Sequence, residues 1–161
     1  MPQKTYPDPP GMPEGERMTP AEFKVLREFL GVTGDWLAGY LEVSPRTVRH
    51  WEQGKYAIPD GVRLAVEDLE KRTAQFVAGV VEQLMDLPEP GVITYRDDEE
   101  YHAAHPGIEF PASWHRAVVA RVAQEVPALS ITFADTVAVE APPHGRGRTA
   151  ADRRTDEGAR R

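Results

Sequence analysis

The chain has 161 residues, no cysteine, a formal net charge of −7 and 28% charged side chains, enough for one ordinary domain or two small ones closely joined. That length leaves no room for a large multi-domain enzyme, and the missing thiols exclude disulfide frameworks, thiolate zinc sites and cysteine nucleophiles. No charge-free run approaches the roughly 18 apolar residues of a membrane helix, and the proline-rich start lacks the apolar centre of a signal peptide, so a cytoplasmic protein without a membrane partner is expected.

Residues 1–17 hold five prolines and two glycines among few apolar side chains, a composition too poor in buriable surface to offset ordering entropy. A flexible arm is expected there. The first helix opens at Thr19-Pro20-Ala21-Glu22, where a threonine cap, a proline in the first helical position and a glutamate three residues after the cap form a capping box. Phe23, Leu26, Phe29 and Leu30 recur at helical spacing, and Gly31 supplies a left-handed stop. A second helix starts at Thr33 and turns Trp36, Leu37, Tyr40 and Leu41 inward, with Ala38 small enough for close approach. Ser44-Pro45 opens a third, which ends at Gly54.

From Asp60 to about Leu87 the spacing of Val62, Val66, Leu69, Phe76, Val80, Leu84 and Leu87 predicts one long amphipathic helix, with Gly79 as its weak point. Pro88 to Gly91 ends it, and Val92 to Tyr95 reads as a short strand. A brief helix over Asp97 to Ala104, a break at His105-Pro106-Gly107, a helix from Ala112 to Gln124 and a second strand at Leu129 to Phe133 complete the ordered part. Residues 141–161 carry six arginines and almost no large apolar side chain, and read as a disordered tail. The fold class is mainly α with a short two-stranded sheet, organised as a helical unit over 18–87 and a small α+β domain over 88–140.

A chain this acidic is an unpromising nucleic-acid binder when taken whole, but the charge is unevenly spread. Net charge is −1 over residues 1–17, 0 over 18–58, −9 over 59–140 and +3 over 141–161. Within 18–58, two short helices about the turn Glu42-Val43-Ser44 would turn Leu37, Ala38, Leu41, Val43, Val48 and Trp51 inward, leaving Arg46, Thr47, Arg49 and His50 outside. Hydrogen-bonding side chains near a helix N-terminus suit the major groove: arginine reads guanine through two bonds, and threonine bonds to bases or touches a thymine methyl.

The run Leu37-Ala38, Leu41, Val43-Ser44, Thr47-Val48 and Trp51-Glu52-x-Gly54 resembles the helix-turn-helix signature of Cro and lambda-repressor-like (XRE-type) regulators. Glu42 departs from it, standing where these proteins usually carry a left-handed glycine, at a cost of about 1 kcal/mol. Over about residues 18–134, including Trp51 to Pro59 and the Tyr101 to Pro106 step, the chain resembles the anti-CRISPR-associated autorepressors of the second class and their YdiL-like relatives. That resemblance implies a homodimer formed by a short C-terminal domain, repression of the protein's own operon through a promoter inverted repeat, and in some members binding to the transcript RNA as well. It places Ser44, Arg46, Thr47, Arg49 and His50 at DNA-reading positions and Lys55 and Tyr56 on phosphate, with Lys24 and Arg27 as further backbone candidates. Trp51 and Glu52 become structural.

A dimer would double the contacts of a small neutral module. Val92, Ile93 and Tyr95 on the strand, with Trp114, Val118, Val119 and Val122 on the last helix, are the candidate interface, and intramolecular core is the alternative for each. No cofactor is expected. His102 and His105 lie three apart among carboxylates, within reach of one metal ion, but no ordered third ligand is evident and a solvated acidic helix accounts for them. Neither a phosphate-binding glycine loop nor a nucleophile elbow is present, so catalysis is not expected. The competing class is an antitoxin, in which a similar DNA-binding unit is coupled to a surface, here the acidic 59–140 region, that neutralises a partner protein.

Overall fold

The computed structural model describes residues 2–135; the arginine-containing tail over 141–161 lies outside them. After a single 3-10 turn at Glu14–Glu16 come α1 (Pro20–Phe29), α2 (Gly34–Leu41), α3 (Pro45–Glu52) and α4 (Asp60–Leu84), followed by β1 (Gly91–Thr94), α5 (Asp98–Ala104), α6 (Ala112–Glu125) and β2 (Ser130–Phe133). The architecture is mainly helical with a small two-stranded sheet. The capping box at Thr19 is complete, with the hydroxyl accepting from Glu22 N and the Glu22 carboxylate accepting from Thr19 N. Thr33 and Ser44 cap α2 and α3 in the same way, each accepting from the backbone N–H three residues on. Glu42 is left-handed, with φ 57° and ψ 39°. Gly79 does not interrupt α4, which runs through it to Leu84 with its apolar face continuing to Val80 and Leu84.

The strands pair in parallel, with Val92 opposite Ile131 and Thr94 opposite Phe133. Parallel neighbours need a crossover, and α5 and α6 supply it. One apolar core joins the two halves of the chain: Phe23, Leu37, Leu41, Val48 and Trp51 of the short helices pack in the same cluster as Val62, Val66 and Leu69 of α4 and Trp114, Val118 and Val122 of α6. Where α1 ends, a Cβ on the left-handed Gly31 would stand 2.5 Å from the Ser113 carbonyl and 2.7 Å from Ala117 Cβ, so glycine alone admits this approach to α6. Arg121 holds the same corner. Its guanidinium meets both oxygens of Glu70 at 2.9 and 3.1 Å and lies over the Phe29 ring. A ladder of rings, Tyr40 on Trp36, Trp36 on Phe110 and Phe110 on Trp114 at 4.0 Å, runs from α2 into α6.

The residues expected at a dimer interface divide accordingly. Tyr95, Trp114, Val118, Val119 and Val122 are buried within the protomer. α6 covers the open side of the helix cluster, and that demand on its apolar face could not be read from α6 alone. Val92 is half-buried and Ile93 exposed.

A second cluster gathers between the end of β1, α5 and α6, where Tyr95 stacks on Tyr101 and both rings meet His105 and His115. Burial, and then the neighbouring His105 and Arg116, push the His115 imidazole down to about 4 from 6.5. A depressed histidine stays neutral in the fold while the unfolded chain takes up the proton. His115 therefore makes stability greatest above pH 6.5, declining as pH falls toward 4 and level below that. Urea midpoints across this range should fall less in His115→Gln than in the wild type; equal slopes would remove His115 as the cause.

The proline-rich segment differs from the flexible arm its composition predicts. Tyr6 packs on the core, its hydroxyl donates to the Leu41 carbonyl at 2.8 Å, and Asp8 pairs with Arg17 at 2.5 Å. One aromatic side chain and one carboxylate anchor it, a local effect that averaged composition does not register.

Candidate nucleic-acid interface

Two helices set about a three-residue turn present the outer face of α3. Pro45 occupies its first turn, and Ser44 at the N-cap accepts from Thr47 N at 3.1 Å while its hydroxyl lies 2.9 Å from that of Thr47. These two side chains fix each other at the helix N-terminus, the end whose free N–H groups favour anions. Val48 and Trp51 are buried on the opposite side, with the Trp51 ring edge-on to Phe23 at 5.9 Å. Arg46 and Arg49 are exposed, Thr47 and His50 half-buried, and Lys55 and Tyr56 exposed in the loop that follows.

Electrostatically these residues act as a group. Burial, and then the cations Lys55, Arg46 and Arg49, hold the His50 imidazole below its ordinary range, which favours the neutral ring with its one donor and one acceptor. Its ring contacts Tyr56 edge-on at 5.1 Å. Asp35 at the start of α2 stands 3.7 Å from Arg49, with both side chains largely in solvent, a contact worth little energetically that nonetheless draws the guanidinium toward α2. The sequence reading missed Asp35 because its approach depends on how α2 and α3 cross.

Lys24 is exposed on α1. Arg27, expected near phosphate, is instead committed inside the protomer: it bonds both oxygens of Glu52 at 2.6 and 3.3 Å and the Val32 carbonyl at 3.0 Å, with only 14% of its side chain exposed. It ties α1 to the end of α3. The signal for this lies in Glu52, an acidic residue beside the buried Trp51 that needs a cation.

The two histidines read as a remote metal pair have separate partners. His102 Nε2 lies 2.9 Å from the Phe110 carbonyl and His105 Nε2 lies 2.8 Å from the Tyr95 hydroxyl. Among the described residues no group of three or more His, Asp or Glu side chains is placed to hold a metal ion, and no helix is long and apolar enough to cross a membrane.

Fold and surface together define a class: a mainly helical protein whose N-terminal part sets two short helices about a left-handed turn and whose C-terminal part adds a small parallel sheet. Within that class the chain belongs to the Aca2/YdiL-like family, whose model matches residues 18–126. It is similar to the Aca2 repressor of Pectobacterium phage ZF40, with 28% identity over 116 residues that make up 71% of this chain and 94% of that relative.

Proposed function

We propose that the protein is a repressor that binds double-stranded DNA through α3, acting as a homodimer on an inverted repeat upstream of its own gene, as part of an anti-CRISPR-associated type of autoregulation. The observation that carries this reading is the outer face of α3, where Arg46 and Arg49 are exposed beside the half-buried Thr47 and His50 and the hydroxyl pair at Ser44 fixes the helix start. The relative's description as a repressor agrees with it. Arg46, Thr47, Arg49 and His50 read bases; Ser44, Lys55, Tyr56 and Lys24 contact phosphate. An overall charge of −7 does not oppose this, because the reading surface lies in the neutral segment and acidic groups concentrate beyond residue 59.

Dimerisation is assigned to the sheet region. Neither β1 nor β2 has a second neighbour among the described residues, Ile93 and Ile131 are 40% and 46% exposed, and free strand edges with apolar side chains favour pairing. The half-sites of the repeat then lie about one helical turn apart.

Graded losses test the residue roles. Arg46→Ala or Arg49→Ala should cost about 1–3 kcal/mol of specific binding and relax preference at one base pair, whereas Lys55→Ala should weaken all sequences alike and flatten the salt dependence. Titrations of each variant against a panel of single-base operator changes distinguish these patterns. Unchanged specific affinity in either arginine variant would remove that side chain from the reading set.

A further inference from the structure

We infer that residues 4–8 form a clasp that fixes both ends of the recognition unit, with Tyr6 and Asp8 as positioning residues for α3. α2 ends in a strained turn: Glu42 is left-handed without being glycine, and the last carbonyls of a helix have no partner of their own. The N-terminal segment supplies partners from far upstream. Tyr6 OH donates to the Leu41 carbonyl at 2.8 Å, Lys4 N donates to the Glu42 carbonyl at 2.9 Å, and Lys4 Nζ lies 3.9 Å from the Glu42 carboxylate.

Beyond α3 the same segment acts again. α4 starts after Pro59, which has no side-chain cap to offer, and Asp8 Oδ1 accepts the Asp60 N–H at 2.9 Å in its place. Arg17 closes the loop by bonding Asp8 and the Ile58 carbonyl. Those hydrogen bonds from Arg17 and from Asp60 hold the Asp8 carboxyl below its ordinary range. Tyr6 lies against Gly61, where a Cβ would stand 3.2 Å from its Cδ1 and 3.4 Å from its Cβ. One short segment thus caps the helix before α3 and the helix after it, and it lies outside the stretch matched by the family.

The inference rests on α3 being the DNA-reading element, and its test separates the two. In the full chain, Tyr6→Phe removes one donor while keeping the ring, Asp8→Ala removes the cap, and Asp8→Asn keeps an acceptor for Asp60 N–H. Each of the first two should weaken specific binding to the upstream repeat about two- to tenfold, the range of one net hydrogen bond, and speed amide hydrogen exchange, Tyr6→Phe at residues 41–44 and Asp8→Ala at Asp60. Asp8→Asn should recover the Asp60 protection. Adding Glu42→Gly, which relieves the turn, should restore binding in Tyr6→Phe. Wild-type exchange and wild-type affinity in Tyr6→Phe and Asp8→Ala would overturn the clasp. Should the wild type itself show no specific DNA binding, the exchange readings still decide: slowed exchange lost in the variants supports the clasp, and unchanged exchange overturns it.

Discussion

Trp51→Ala should unfold the N-terminal helix cluster rather than trim its affinity for DNA. The indole is 5% exposed, seated edge-on against Phe23 in the cluster that also holds Leu37, Val48 and Val62. Truncating a buried tryptophan costs about 3–5 kcal/mol through lost burial and the cavity left behind, a large part of the roughly 5–15 kcal/mol by which a domain is stable. Thermal unfolding followed by circular dichroism should show a large drop in midpoint or no cooperative transition, with DNA binding lost in parallel. A variant that kept its melting profile but lost binding would make Trp51 a DNA contact and contradict its burial.

Trp114→Ala should have a comparable effect for a different reason. Its ring stacks on Phe110 at 4.0 Å and meets Phe76 at 5.5 Å, and its Nε1 donates to Thr73 Oγ1 at 3.2 Å, so it couples α4 and α6 with the segment that reaches Trp36. Removing it costs about 3–5 kcal/mol again. The expected loss belongs to the protomer: the urea midpoint should fall at every protein concentration. Ile93→Asp, by contrast, should leave protomer packing intact and shift self-association measured by sedimentation. If Trp114→Ala left the protomer midpoint unchanged and dissociated the dimer, α6 would have to present that ring outward, against the geometry.

How much of this was legible in the sequence depends on whether the signal was local. Caps and stops at Thr19, Thr33, Ser44, Gly31 and Gly54 were readable because a helix terminus is decided by a few neighbouring residues, and the structure has each helix where those residues put it. Both strands were readable as runs, but their parallel direction was not, since it depends on the crossover through α5 and α6. The outward set on α3 followed from which residues must face in. Arg27 and the apolar face of α6 went the other way. An arginine on a helix surface and a valine stripe look alike whether the neighbour is phosphate, a second copy or the same chain, and only packing chose Glu52 for the first and the helix cluster for the second. The Trp36, Phe110 and Trp114 ladder joins residues more than 70 positions apart, and no spacing rule reaches that far.

The proposed repression requires that α3 reads DNA. A gel-shift titration of the full chain against DNA from immediately upstream of its own gene, with a scrambled fragment at the same salt concentration, tests that directly. Specific binding in the nanomolar range by a complex of two protomers, weakened in Arg46→Ala and Arg49→Ala, is the predicted result. No preference for the upstream fragment over the scrambled one would contradict it, and would redirect the search to an RNA target or to a partner protein that completes an antitoxin-type complex.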